Sequence, residues 1–401
     1  MAGCGSPDAP NGSGMAGSSG EKEIMMWLVG SEGQAQTITE IAREFHKETN
    51  VKVRCEAISW SEAHSKYLTS IAGGVAPDIG TMGLTWGMEF GSLGVMVDLG
   101  REYEEDVSRI KSEVFPGMWA SIEYEGSVYG IPFDISEYVL YYRSDMISAP
   151  PDTWEDLANL LAYLNQKGKS MLFDWGSLSW IGYSNYLWQA GGDYYSPDHR
   201  SVTIDSPESL AAIKFFSELY TRYNVPKTKI PLEQGMRTGD FPMAISGNWK
   251  IDGLRLSAPE ITGKWSIALL PKGPSGRRTA FLGGRIMGIF AQSKNKKEAW
   301  EFIKFLFAPK TQERLYRGAF LRQDTYLPPN MDAWDNLEMD EGLKRVLIEQ
   351  ARDAKGPPPV MDWDSAAKKV DEVIQRVVLK NADPKKELAS CKAEMERLLK
   401  K

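Results

Sequence analysis

Apolar and polar positions change period along the chain in a recurring order. Ile24-Met25-Met26-Trp27-Leu28-Val29 is an unbroken apolar run, Gln36–Asn50 places its apolar residues at helical spacing, and Val51–Ile58 alternates. A buried strand, an amphipathic helix and a half-covered strand have these signatures, and the βαβ order predicts a parallel sheet covered by helices. A second helix is predicted over Glu62–Ala72, stopped by Gly73 and Gly74; it leads through Ala76-Pro77-Asp78 into another strand. The first part of the chain therefore reads as an α/β lobe.

The alternation resumes further on. Pro151 and Asp152 precede a predicted helix capped by Thr153, whose first turn is acidic. Helices are expected around Ser184–Gly192 and Ser206–Tyr223, and strands around Phe241–Gly247 and Lys264–Pro271. This is a second α/β lobe. One more strand and helix follow, over Arg285–Gln292 and Asn295–Gly318, then a proline-rich stretch and two C-terminal helices from about Ser365. No repeat of solenoid period appears.

The length of 401 residues exceeds what one core ordinarily serves and favours two domains. Net charge is -7, with Lys and Arg scattered, which argues against a nucleic-acid groove. No stretch approaches about 18 consecutive apolar residues, so nothing is expected to span a membrane. The three His and three Cys show no ligand spacing, so neither a metal nor another cofactor is expected. Cys55 and Cys391 are expected to be free, buried or half-buried thiols. Residues 1–20 are rich in Gly, Ser, Pro and Asn and too poor in large apolar side chains to fold, so they read as a flexible tether. Within it, Met1-Ala2-Gly3-Cys4 resembles the end of a bacterial lipobox. Two origins fit: the mature end of a lipoprotein carrying lipid on Cys4, or a cloning remnant.

Several landmarks occur in a set order: SKYLTSIAGGVAPDIGTMG, FGSLGVMVDL, VYGIPFDISEYVLYYRSDMI with PPDTWEDL, GDFPMAISGNWKI, LLPKGPSGRRTAFLGGRIMGIFAQ, and a Trp-bearing C-terminal helix. Over about residues 24 to 400 this order resembles the extracellular solute-binding proteins of ABC importers, in the group that includes maltodextrin and other sugar binders. The resemblance implies a two-lobe α/β fold of the periplasmic-binding-protein type (class II), with ligand in an interlobe cleft that closes about a hinge. Carried over, lobe one is 21–131 plus 285–323, and lobe two is 132–284 plus 324–401. It also implies a monomer outside the cytoplasm that hands a sugar to permease subunits and touches the membrane only through lipid on Cys4.

A sugar presents hydroxyls at its rim and C–H faces on its ring, so its site needs aromatic plates and hydrogen-bonding groups. Of thirteen Trp, at least half are expected in the core. Trp249 follows a strand end, and the resemblance places a stacking Trp there; a stacking aromatic is also implied at Trp363, where a helix starts. Trp86 follows the strand after Pro77-Asp78. Trp180 and Tyr183 lie where second-lobe contacts are implied, uncertain by one helical turn. For each aromatic, core packing is the alternative. Glu32 sits in a loop at the carboxyl end of a parallel strand, where α/β proteins bind ligands, though a first-turn role also suits it. Asp134 lies at the crossing between lobes. Glu89 is the weakest candidate, equally a solvated helix residue. Arg285 follows Gly283-Gly284 at a crossing, and its planar fork of donors suits vicinal hydroxyls or a carboxylate; pairing with Asp134 as scaffold is the alternative.

The function expected is capture of a mono- or oligosaccharide without chemistry, with an acidic sugar or a polyol as an open alternative ligand. A glycosidase using Glu32 and Asp134 as its carboxylate pair is the enzymatic alternative. Against it, no nucleophile elbow, phosphate loop or zinc motif occurs.

Overall fold

The computed structural model describes Met1 and residues 22–173, 175–176 and 178–400; Cys4 and the rest of the tether lie outside the described residues. The predicted βαβ start is present. Strand β1 (Lys22–Val29) pairs in parallel with β2 (Val51–Ile58) and β3 (Ile79–Gly83), and helices α1 (Glu32–Thr49) and α2 (Trp60–Ala72) connect them. Ser31 caps α1 by accepting the Gln34 amide. Helix α3 (Leu84–Ser92) follows β3 directly.

The remaining strands of the main sheet are β4 (Ile131–Arg143), β5 (Met171–Phe173), β6 (Met243–Gly247), β7 (Trp265–Ala268) and β8 (Ala280–Ile289), with the two-residue strand Ala354–Lys355 alongside the start of β8. The sheet runs β2-β1-β3-β8-β4-β6-β5, with β7 also on β4. The two long strands make it continuous. The first half of β4 pairs with β8 up to Glu137↔Leu282, and from Tyr138↔Gly247 onward its partners are β6 and β7. Gly284 lies at φ 135°, and a β-carbon there would stand 2.2 Å from the Asp134 carbonyl oxygen, so only glycine passes this point.

Helices α4 (Trp154–Gln166), α5 (Ser179–Gln189), α6 (Lys250–Ser257) and α7 (Trp363–Lys380) belong to the part of the molecule around β5 and β6. Thr153 and Asp156 form a full capping box at the start of α4. Two apolar cores flank the crossing. One gathers Met26, Leu28, Ile38, Ile79, Phe290 and Phe302, and continues under the crossing to Leu254 and Leu347. The other gathers Leu161, Tyr183, Phe216, Trp363 and Val370. Cys55 and Cys391 are free thiols, and burial pushes each up to about 12, helped at Cys55 by Glu32 and Glu56.

Candidate functional site

A cleft of about 1680 Å³ opens where the sheet changes partners. Its position follows from topology. Gly30 and Ser59 follow the carboxyl ends of β1 and β2, Gly83 is the last residue of β3, and all three line the cleft, as parallel α/β sheets arrange their ligands. The opposite side comes from the start of α5, the β6–α6 turn and the start of α7.

On the first side, Trp60 opens α2 and meets Trp86 of α3 at 5.9 Å and 65°, making a corner of two indoles. His64, one turn after Trp60, packs between Trp86 (5.1 Å) and Phe90 (5.5 Å), and its Nε2 lies 2.9 and 3.1 Å from the two Glu89 carboxylate oxygens. Trp86 and Glu89 thus share one wall.

On the second side stands Trp249, edge to face with Tyr138 at 5.8 Å and 80°. Asn248 before it is buried and holds the crossing strand in two bonds. Its Oδ1 accepts the Glu137 amide at 2.8 Å, and its own amide donates to the Glu137 carbonyl at 2.9 Å. Seven of the thirteen Trp are buried, whereas Trp60 is 52% exposed and Trp249 40%, and both of these line the cleft. Trp60 rests on Trp86 and Trp249 on Tyr138, and each still turns part of its ring to the cleft.

Arg285 and Asp134 meet at the base of the cleft. The Arg285 amide donates to Asp134 Oδ1 at 2.8 Å, and its Nε and Nη2 donate to Oδ2. Nη1 donates to the Val29 carbonyl and, at 2.9 Å, to Gln34 Oε1, while the guanidinium sits 4.8 Å from the Phe133 ring. Its side chain is 4% exposed. The fork expected for ligand hydroxyls or a carboxylate is thus engaged by the protein and ties the β1–α1 turn to the crossing.

Other candidates fall elsewhere. Glu32 is in the first turn of α1 and not on the cleft wall, so it does not face Asp134 as a carboxylate pair. Tyr183 is fully buried, its hydroxyl donating to the Ser209 carbonyl at 3.3 Å. Trp363 is 1% exposed and packs against Trp180 (5.1 Å) and Tyr194 (4.8 Å); its neighbours Asp362 and Asp364 line the cleft instead. Trp180 reaches the wall but is largely covered by Phe281 and Trp363. Trp60, Gln34, His64, Leu178 and Lys368 line the cleft without having been singled out. Trp60 was legible, because the carboxyl-end rule applied to the loop after β1 applies equally to the loop after β2.

The walls are rich in carboxylates. Glu89, Asp252, Asp324, Asp364 and Asp371 stand against Lys368, with Arg285 paired to Asp134. Burial pushes Asp252 above the usual carboxylate range, with Arg255 opposing it. Burial likewise raises Asp371, although it accepts the amides of Trp180 at 2.7 Å and Leu178 at 3.0 Å. Among the described residues no group of three or more His, Cys, Asp or Glu is placed to hold a metal.

A sequence profile described as bacterial extracellular solute-binding protein matches residues 40–344. A putative binding protein of Brucella abortus is 24% identical over 416 residues, covering 96% of each chain. A maltooligosaccharide ABC transporter solute-binding lipoprotein of Streptococcus pneumoniae is 25% identical, covering 88% of this chain and 84% of its own. Among solved structures, the sugar-binding protein MalE of Xanthomonas citri superposes with a TM-score of 0.83 at 23% identity, covering 94% of this chain and 97% of its own. The GacH receptor of Streptomyces glaucescens superposes at 0.79 and 21%, covering 95% and 99%. These likenesses establish the two-lobe fold.

Proposed function

The chain belongs to the bacterial extracellular solute-binding proteins, and on that premise we propose that it captures a neutral oligosaccharide in the cleft and delivers it to the membrane subunits of an ABC importer. The observation that carries this reading is the pair of half-exposed indoles, Trp60 and Trp249, presented to one cleft from different parts of the fold. Stacking plates of this kind suit the C–H faces of sugar rings. Relatives named for maltooligosaccharide and structures named for MalE, or solved with acarbose, support the same class.

Charge narrows the ligand. Ionised carboxylates only accept hydrogen bonds, which suits a polyol whose hydroxyls donate, and they repel a uronate. With the Arg285 donors engaged, Lys368 is the main cation left on the wall. The volume also exceeds the roughly 300–1,000 Å³ usual for compact ligands, which favours more than one sugar ring. The lobes in this reading are 21–131 with 285–323 and 132–284 with 324–401. They close about the crossing strands, and the rims of the closed form meet the permease. The protein acts as a monomer outside the cytoplasm, and lipid on Cys4 anchors it.

A thermal-shift and calorimetry panel of glucose, maltose, maltotriose, trehalose, polyols and galacturonate tests the reading. A bound neutral oligosaccharide at one hundred times its Kd stabilises the fold by about 2.7 kcal/mol, while galacturonate leaves it unmoved. Preference for the uronate overturns the charge argument, and no shift with any saccharide overturns sugar binding. For the anchor, the gene is expressed from its natural start. Labelled fatty acid is then expected on the parent protein and not on Cys4→Ala, and label retained by that variant refutes the lipid on Cys4.

A further inference from the structure

The strand before Trp249 ends in Gly247, whose φ is not positive, so backbone conformation does not call for glycine there. Space does. A β-carbon at Gly247 would stand 1.9, 2.1 and 2.2 Å from Cζ3, Cη2 and Cε3 of Trp249, three adjacent atoms of the six-membered ring. Near-equal distances to three adjacent ring atoms place that point over the ring face and not beyond its edge. The indole therefore lies flat on the Gly247 backbone. Tyr138 meets it edge to face, and the ring remains 40% exposed on the cleft.

The backbone beneath is fixed from several sides. Gly247 pairs with Tyr138 in the sheet, its carbonyl accepts the Tyr141 hydroxyl at 2.7 Å, and Asn248 is bonded twice to Glu137. A side chain at 247 must displace the ring, because the strand has no freedom to yield. We propose that Gly247 is a positioning residue: the missing side chain seats the Trp249 plate against the strand and so sets saccharide affinity. The affinity claim rests on the reading of Trp249 as a sugar plate.

The test uses the full chain and the saccharide that gives the largest response in the panel. Gly247→Ala is expected to lower affinity tenfold or more, Trp249→Ala by a similar factor, and the double variant no more than Trp249→Ala alone. The protein labelled with 5-fluorotryptophan supplies a readout independent of ligand. The resonance lost in Trp249→Phe is that of Trp249, and it is expected to move in ligand-free Gly247→Ala. An unmoved resonance, or an equal fall in affinity when Gly247→Ala is added to Trp249→Ala, overturns the proposal. A moved resonance with affinity unchanged in both single variants also overturns the affinity claim. In that case the fault lies in the reading of Trp249 as a sugar plate, and the seat itself stands. Melting of each ligand-free variant separates a displaced ring from a chain that does not fold.

Discussion

Glu137 holds a carboxyl group, fully buried, whose two oxygens have no hydrogen-bond partner among the described residues. Along β4, Asp134, Ile135 and Ser136 line the cleft, whereas Glu137 next to them does not and is fully buried. Burial raises its carboxyl well above the usual range, so the folded protein holds it protonated while the unfolded chain releases its proton near pH 4.3, roughly the free Glu value. Its contribution to stability is complete below that pH and is lost as pH rises toward the folded value, by about 1.4 kcal/mol per unit. Glu137→Gln removes this dependence, so urea unfolding is expected to find the variant more stable at pH 8 and level with the parent near pH 4. Arg285 is a buried charge that does have partners. With its donors bound to Asp134, Val29 and Gln34, Arg285→Ala leaves Asp134 uncompensated and is expected to cost about 3 kcal/mol of ligand-free stability. Ligand affinity should change little, and a large fall in affinity with unchanged melting would show that the fork reaches the sugar. The sequence made the meeting of Arg285 with Asp134 legible through Gly283-Gly284 at a crossing. The use of its remaining donors depends on where Val29 and Gln34 arrive in space, which no local pattern carries.

At the scale of elements, legibility followed the range of the forces involved. Helix α1, the strands beside it and the Thr153 cap of α4 rest on neighbours within a few residues; the strands and the cap appear where the pattern puts them, and α1 begins one turn ahead of Gln36, at Glu32, behind its Ser31 cap. Helix α5 is different. The pattern marks a helix around Ser184–Gly192, whereas α5 begins at Ser179 because Asp371, from α7, accepts the amides of Leu178 and Trp180. That distant cap moves Trp180 and Tyr183 into the first turns and carries Tyr183 into the core. It also holds Leu178 at φ 69°, a left-handed conformation that costs a branched side chain about 1 kcal/mol. Leu178→Gly is therefore expected to raise the melting temperature, or at worst leave it unchanged, despite glycine's flexibility in the unfolded chain. A clear drop would mean that the Leu178 side chain, 59% exposed, packs more than its exposure suggests.

For the whole molecule, the decisive feature is one strand shared by two halves. Strand β4 exchanges β8 for β6 and β7 between Glu137 and Tyr138, so the two cores lean on one backbone. Gly284 sits where β8 presses closest on β4, and Gly284→Ala combines a forbidden φ with a clash against the Asp134 carbonyl. Its loss is expected to exceed about 2 kcal/mol and to appear as one lowered unfolding transition in calorimetry, where two transitions would show that the halves melt independently. The order in which the sheet is assembled has a further consequence. Strand β3 lies between β1 and β8, yet β8 is synthesised long after β3, when the whole segment from β4 to β7 has been made. Until then the nascent chain carries an open strand edge and a core lacking Ile289, Phe290 and Phe302. Folding rates fall as contacts span more of the chain, so the newly made polypeptide stays unfolded for longer than one whose neighbours follow in order. The same interval leaves the β3 edge open to pairing with other chains.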